Sequence, residues 1–385
     1  MKRVFVGLSG GVDSSVAAYL LQKQGYAVTG VFIRCWSGGS PSHSLGITHS
    51  SSLGVSCADE DAEYARRVAE HLKIPFYVFD LEEEYKKRVI EYMINGYKKG
   101  ATPNPDVMCN KEIKFDLFLR EALAMGANFI ATGHYVRLRR KFQIPSASWR
   151  NKSQTNSKLF TAKDKNKDQS YFLWTLTQDQ LQHCLFPIGK YLKSEVREIA
   201  RKAKLPTAEK KDSQGICFLG KITLHEFLKQ YIPPKKGETR DEKGNAMGTH
   251  DGAWYYTIGQ RHGLDLKYAK TPKSKPRYVV SKDVETNTIV VAEGDESPAL
   301  YKKELMLTNV NFLDPNIISL RCKVFVRIRY RQPLQEATLI FPHQSASSSA
   351  SIRVLFAEPQ KAIAPGQSAV FYSKKGELLG GGIIQ

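Results

Sequence analysis

The first 135 residues alternate short apolar runs with amphipathic ones. Val4-Phe5-Val6-Gly7-Leu8 reads as a buried strand, and Ser14–Gln24 as a helix with Val16, Ala17, Leu20 and Leu21 on one face. Ala27–Ile33 and Phe76–Asp80 read as further strands, and Ala58–Leu72 as a helix with a charged outer face. The pattern predicts helices over Glu83–Lys98 and Phe115–Met125 and a strand over Asn128–Thr132. Strand and helix in alternation imply an α/β domain with a parallel sheet. Ser170–His183 and Ser194–Lys204 read as helices, and Ser146–Lys158, rich in Ser, Asn, Gln and Lys, reads as an exposed hairpin tip. From about residue 235 the texture changes to short β-type runs between Gly and Pro turns. They are Trp254–Thr257, Tyr278–Ser281, Thr288–Ala292, Cys322–Tyr330, Ala337–Phe341, Ile352–Phe356 and Ser368–Tyr372. That spacing predicts one or two small β domains or a barrel.

Charge changes the picture. The chain has 385 residues, 57 Lys and Arg against 38 Asp and Glu, and a formal net charge of +19. A surplus of this size points to a polyanion partner, with RNA or DNA first. Two stretches concentrate it: residues 137–167, with Asp164 as their single acid, and the run 321–331, with no acid. The apolar runs are all too short to span a membrane. Met1-Lys2-Arg3 leads straight into the first strand, so a cytoplasmic location is expected.

The candidate chemistry sits in three loops. Ser9-Gly10-Gly11-Val12-Asp13-Ser14 joins the first strand to the first helix. Glycines there let backbone N–H groups close around an anion at a helix N-terminus. The Lys-Ser/Thr ending of a Walker loop is missing. The second loop is Thr102–Asn110, whose prolines 103 and 105 predict a stiff segment ahead of a helix, with Cys109 near Lys111 and Lys114. A cysteine so placed is expected to be acidified. The third is Asp212-Ser213-Gln214-Gly215-Ile216-Cys217-Phe218. Cys184 and Cys322 sit in apolar segments and read as structural; Cys35 and Cys57 border a Ser- and Gly-rich stretch and lean the same way. No pair of the six cysteines has C-x-x-C spacing, so a zinc ribbon lacks support and no metal is assigned to protein side chains.

Ser9–Ser14 resembles the PP-loop of ATP pyrophosphatases. Together with Asn104-Pro105-Asp106-x-x-Cys109-Asn110 and Asp212-Ser213-x-Gly215-Ile216-Cys217-Phe218, it resembles the tRNA-specific 2-thiouridylase family over nearly the whole chain. The resemblance implies a Rossmann-like, adenine nucleotide alpha hydrolase-like PP-loop domain over 1–210, a small central domain over 211–285 and a tRNA-contacting β-barrel over 286–385. It implies adenylation of the C2 oxygen of uridine 34 by ATP with Mg²⁺, then sulfur transfer to give 2-thiouridine, AMP and pyrophosphate. Gly7, Leu8, Ser9, Gly10, Gly11, Val12, Asp13, Ser14, Ile33 and Gly133 would bind ATP; Ile33 stands where the family usually has Met. Asn104, Pro105 and Asp106 would meet the target base, with Asp106 also a candidate acid or base. His134, Lys167, Asp168, Gln169, Arg329, Tyr330 and Gln367 would contact tRNA, of the Lys, Glu and Gln isoacceptors. Cys109 would be the nucleophile and Cys217 the persulfide carrier, joined transiently as a disulfide. A cysteine desulfurase or a sulfur-relay protein would supply the sulfur.

The chemistry justifies this set. Two thiols and a nucleotide loop are the minimum for replacing a carbonyl oxygen by sulfur, since the oxygen must become a leaving group and the sulfur must arrive shielded from water. The alternatives are a lysidine-synthetase-like enzyme, which needs no thiols, and an iron–sulfur-dependent thiolase with Cys109, Cys217 and Asp106 as cluster ligands. Missing C-x-x-C spacing disfavours the cluster. A non-catalytic RNA-binding protein with a relic loop is disfavoured by the presence of Asp13 and both cysteines.

Overall fold

A computed structural model describes residues 1–36, 57–141, 156–212, 222–266, 275–313, 321–342 and 351–385. The chain divides into two compact units. The first comprises Met1–Val89, Asp106–Gly220 and Lys375–Leu379, and the second Ile90–Pro105, Lys221–Lys374 and Gly380–Gln385.

The first unit is built on a five-stranded parallel sheet. Its strands are β1 (Arg3–Gly7), β2 (Ala27–Arg34), β3 (Phe76–Asp80), β4 (Phe129–Ala131) and β7 (Cys184–Leu185), in the order β3-β2-β1-β4-β7. β1 lies centrally, Val4 opposite Val28 on one side and Phe129 on the other. Val4, Val6 and Leu8 are fully buried with Val16, Ala17 and Leu21 of helix α1 (Val12–Lys23) and Val68 and Ala69 of helix α2 (Cys57–Leu72). The order reverses between β1 and β4, and in open parallel sheets ligands bind at that switch point, beyond the strands' C-terminal ends. The phosphate-type loop follows β1 and Gly133-His134 follows β4, so both border the switch point. The expected basic hairpin is present as β5 (Val136–Lys141) paired antiparallel with β6 (Asn156–Thr161). Its tip lies outside the described residues.

Two helical expectations need correction. The helix expected from Phe115 starts ten residues earlier, as Pro105–Met108, a π-helical stretch Cys109–Leu117, and Phe118–Ala124. Pro105 does not hold the segment out of the helix but opens it, because a first-turn proline gives up an N–H that would have no partner. Ser170–His183 is not one helix but a 3₁₀ turn Ser170–Leu173 and a single turn Gln178–Leu181 capped by Thr177.

The second unit holds a small sheet and a barrel. β8 (Gly237–Asp241), β9 (Ala246–His250), β10 (Asp265–Leu266), β11 (Arg277–Asp283) and β12 (Thr288–Glu293) form a sheet in the order β10-β9-β8-β12-β11. The strand expected at Trp254–Thr257 is instead a 3₁₀ turn Ala253–Tyr255, with Ala253 and Tyr255 buried. The closed barrel is formed by β13 (Tyr301–Phe312), β14 (Arg321–Arg327), β15 (Gln335–Ile340), β16 (Ile352–Lys361), β17 (Ser368–Tyr372) and β18 (Leu378–Ile384), in the order β13-β16-β15-β14-β17-β18. A parallel-sheet domain, a small central domain and a C-terminal β-barrel are therefore the architecture, as the sequence predicts.

Candidate active site

The loop Ser9–Ser14 closes on itself before α1. Gly11 takes the cap position, and Ser14 in the first turn accepts from Ser9 N at 3.1 Å and donates to Gly11 O at 3.1 Å. Gly10 has φ +71°, and a Cβ there would run into the carbonyl of Asp61 on α2. Glycine is needed on both counts. Gly133 brings the end of β4 against α1, since a Cβ on it would stand 2.7 Å from Ser14 N. Ile33, at the end of β2, reaches the Gly7 position beside Phe118. Gly7–Ser14, Ile33 and Gly133 thus lie together at the C-terminal end of the sheet's central strands.

Asp13 organises the charge there. Its Oδ1 accepts from Tyr135 Oη at 2.8 Å, and both carboxylate oxygens accept from Lys193 Nζ at 2.8 Å. Lys193 also reaches Asp212 Oδ1 at 3.0 Å, and Asp212 receives Lys167 at 2.7 Å and Arg197 at 2.6 Å. Burial alone would raise the Asp212 carboxyl, but the hydrogen bonds from Lys167 and Lys193 outweigh it and hold it at about 2. Burial, with Asp13 behind it, pushes the Tyr135 phenol far up, so it stays a donor. Lys193, Lys167 and Arg197 thus face Asp13 and Asp212, and Asp164 Oδ2 accepts from Lys193 N at 2.9 Å. A phosphate approaching the α1 N-terminus would meet Lys193, the lysine that the loop itself lacks. Nothing in the local pattern singles out Lys193, which opens the helix Lys193–Lys202 and stands 180 residues from Asp13.

The nucleophile candidate is more buried than the sequence suggests. Cys109 opens the π-helical stretch at 6 % exposure instead of standing ahead of a helix. A hydrogen bond with Cys35 is the largest influence on its thiol and lowers it; burial raises it, and Lys114, one π turn on, lowers it again. The balance leaves the thiol below its ordinary range. Lys111 is instead paired with Glu112 at 2.9 Å. Burial pushes the Asp106 carboxyl up, with Lys114 opposing. His134 is buried, with Thr132 Oγ1 2.7 Å from its Nδ1 and its ring against Phe115. Burial first, then Lys114, keep it neutral. One ammonium thus acts on Cys109, Asp106 and His134. Cys35, which the sequence leans toward a structural role, is a neighbour of Cys109; its place just past β2 was the available signal. Cys217 lies outside the described residues.

The expected tRNA contacts have varied surroundings. Lys167 is the partner of Asp212 just described. Asp168 is buried, accepting from Ala162 N at 3.0 Å and Ser170 Oγ at 3.1 Å. Gln169 holds Tyr135 through both backbone and side chain, its Oε1 accepting from Tyr135 N at 3.0 Å. In the second unit Arg329 donates to the carbonyls of Ile258 and Ala362, Tyr330 lies under the Arg331 guanidinium, and Gln367 donates to the carbonyl of Thr102. Asn104 and Pro105 belong to this second unit. Cys184 is buried in β7, its thiol donating to Gln180 O and pushed up by burial. Among the described residues no group of three or more His, Cys, Asp or Glu side chains is arranged to hold a metal ion, and no helix is long and apolar enough to cross a membrane.

Residues 2–221 match the family model described as tRNA methyl transferase HUP domain, 225–293 a tRNA methyl transferase PRC-barrel domain, and 302–384 an aminomethyltransferase beta-barrel domain. A protein named tRNA-specific 2-thiouridylase MnmA, from Flavobacterium johnsoniae, is 44% identical over 422 residues, covering 100% of both chains. The chain belongs to the tRNA-specific 2-thiouridylase family. Relatives of that name from Geobacillus kaustophilus, 44% identical over 100% of this chain and 95% of its own, and from Bacillus licheniformis, 43% identical over 99% and 94%, agree. Among 2-thiouridylases, then, this one presents, in one unit, a phosphate-type loop held against Gly133 and Tyr135 and an acidified cysteine.

Proposed function

We infer that the protein converts uridine 34 of tRNA to 2-thiouridine with ATP, and that the Lys, Glu and Gln isoacceptors are its substrates. The observation that carries this reading is the union of loop and thiol. Gly133 abuts the α1 N-terminus, and the next residue, His134, shares the field of Lys114 with Cys109. An adenylating loop alone would serve many ligases, and a thiol alone many transferases.

The steps follow from the groups. The loop N–H groups, Ser9, Ser14 and Lys193 take the phosphates of ATP. Asp13, the single acid of the loop, would be free to face a Mg²⁺ ion carried in with them only if Lys193 left it for the phosphates. Ile33 and Gly133 flank the adenosine, which enters at the switch point. The C2 oxygen of the uridine attacks the α-phosphorus, and pyrophosphate leaves. Asn104, Pro105 and Asp106 hold the base, which must be turned out of its stack for C2 to be reached. Cys217 carries the sulfur as a persulfide received from a cysteine desulfurase or a sulfur-relay protein. The Cys109 thiolate attacks Cys217 Sγ and forms the disulfide. The terminal sulfur leaves with the bonding pair, adds to C2 and expels AMP. A dithiol then reduces Cys109–Cys217 and returns both thiols. The basic hairpin β5–β6 and the Arg-rich strand β14 supply the phosphate contacts to the RNA.

Radiolabelled sulfane sulfur tests the division of roles. Cys109→Ser should retain label on Cys217 and stall, and Cys217→Ser should take up none while still adenylating tRNA. Label on Cys217→Ser and none on Cys109→Ser reverses the two roles.

A further inference from the structure

The segment that would meet the target base is held in place by the turn after Ala253–Tyr255 and by barrel loops, all within the second unit. Thr102 N donates to Pro365 O at 2.7 Å, and Gln367 Nε2 donates to Thr102 O at 2.7 Å, so both backbone groups of Thr102 are taken by one turn of the barrel. The Thr102 hydroxyl meets Thr257 Oγ1 at 3.2 Å. Gly366 makes this approach feasible. It has φ +89°, and a Cβ on it would stand 2.8 Å from Thr102 N. Behind the segment, Gly96 leaves room for the Pro103 ring, 2.7 Å from where a Cβ would be. Thr257 is fixed in its turn, since Arg329 Nη2 donates to Ile258 O at 3.0 Å and to Ala362 O at 2.8 Å. The path from the barrel to the base segment is continuous: Arg329 to Ile258, Thr257 to Thr102, Thr102 to Gln367. Thr102 is 8 % exposed, so these bonds are shielded from competing water.

We propose that Gln367, Gly366 and Arg329 are positioning residues that set the Thr102–Pro105 segment from the barrel, so that their main effect is on the rate at which bound tRNA reacts. This rests on the reading that the chain thiolates tRNA. The Gln367 amide is bonded to the Thr102 carbonyl, and one arm of the Arg329 fork to two other carbonyls. A misplaced base segment costs rate at saturation, because near-attack geometry is lost while the phosphate contacts that dominate affinity persist.

The test separates binding from rate with Gln367→Met, Thr257→Val, Gly366→Ala and Arg329→Lys. The probe is an unmodified tRNA transcript with uridine 34. Affinity is read by filter binding across a salt series, and rate by single-turnover 2-thiouridine formation at saturating tRNA. Melting curves confirm that each variant is folded. Loss of one hydrogen bond should slow Gln367→Met and Thr257→Val roughly fivefold at saturation, and Gly366→Ala should lose more, about tenfold or beyond, since it adds strain to collision. Arg329→Lys keeps the charge but cannot fork between two carbonyls, so it too should slow without changing the salt slope. All four should bind tRNA within about twofold of wild type. Saturating rates at the wild-type level in Gly366→Ala and Gln367→Met overturn the proposal, as does a set of variants that bind about tenfold more weakly yet react normally once bound. A decline confined to Gln367→Met, with Thr257→Val and Gly366→Ala at wild-type rate, also overturns it. A wild-type protein that forms no 2-thiouridine fails the functional reading instead, and the control lane shows which has failed.

Discussion

Lys193 offers the sharpest perturbation, because it joins two carboxylates from one nearly buried position. Its side chain is 14 % exposed, against 32 % for Asp13 and 28 % for Asp212. Lys193→Met removes both bonds to Asp13 and the contact with Asp212, but leaves Tyr135 on Asp13 and Lys167 and Arg197 on Asp212. A charge-assisted hydrogen bond contributes about 1.5–3 kcal/mol, and partial exposure with the surviving partners brings the expected loss to roughly 2 kcal/mol. Asp13→Asn keeps the shape and leaves Lys193 its bond to Asp212, so about 1 kcal/mol is expected. The double variant should cost less than the two singles together, by about 1 kcal/mol, as contacting residues do. Urea denaturation measures all four corners of the cycle. Catalysis should suffer more than stability. If Lys193 meets phosphate, ATP–pyrophosphate exchange in the presence of tRNA should fall about 100-fold, as when a pre-set donor to a developing charge is lost. Exchange within twofold of wild type would remove Lys193 from the phosphate site, and a coupling below about 0.3 kcal/mol would mean the ion pair carries no energy of its own.

Gly133→Ala should weaken ATP use and destabilise the fold by about 1–3 kcal/mol, because its Cβ would meet backbone atoms of Ser14 and Asp13 at 2.7 and 2.9 Å; denaturation and the KM for ATP check this. The Asp212 carboxyl titrates lower in the folded chain than in the unfolded one, so its pairing stabilises above pH ~4 and is lost as pH falls from there toward 2; Asp212→Asn should flatten that acid limb of the stability curve. Cys35→Ala should move the pH midpoint for iodoacetamide labelling of Cys109 upward, since it removes the hydrogen bond that favours the thiolate; an unmoved midpoint would show that Lys114 alone acidifies the thiol.

The parallel sheet was readable because β1 and β2 are short continuous apolar runs, buried on both faces as parallel strands are, with a Gly-rich loop and a helix-length segment between them. β13 escaped notice because Lys302, Lys303 and Glu304 stand exposed along its first half, where apolar residues resume only at Leu305. The hairpin β8–β9 offers only Ala246 and Met247 as apolar residues, and its clearest signal was the turn Lys243-Gly244-Asn245, with Gly244 at φ +87°. The early helix at Pro105 was hidden by reading both prolines as breakers, although a proline in a first turn favours a helix. In the site, the loop, Cys109, Asp106 and Gly133 were legible because each lies in a dense local motif. Lys193 and the Cys35 contact were not, since the fold pairs them with residues far away along the chain. Ion pairs across such separations follow from packing, which sequence periodicity does not encode.

The central claim is tested most directly by incubating this protein with unmodified tRNA, ATP, Mg²⁺ and a persulfide sulfur donor, then digesting the tRNA to nucleosides for mass spectrometry. The account predicts 2-thiouridine at position 34, one AMP and one pyrophosphate for each sulfur inserted, and no product with Cys109→Ser or Cys217→Ser. Unmodified uridine after full incubation of active, folded protein, or thiolation that persists in Cys109→Ser, would contradict it.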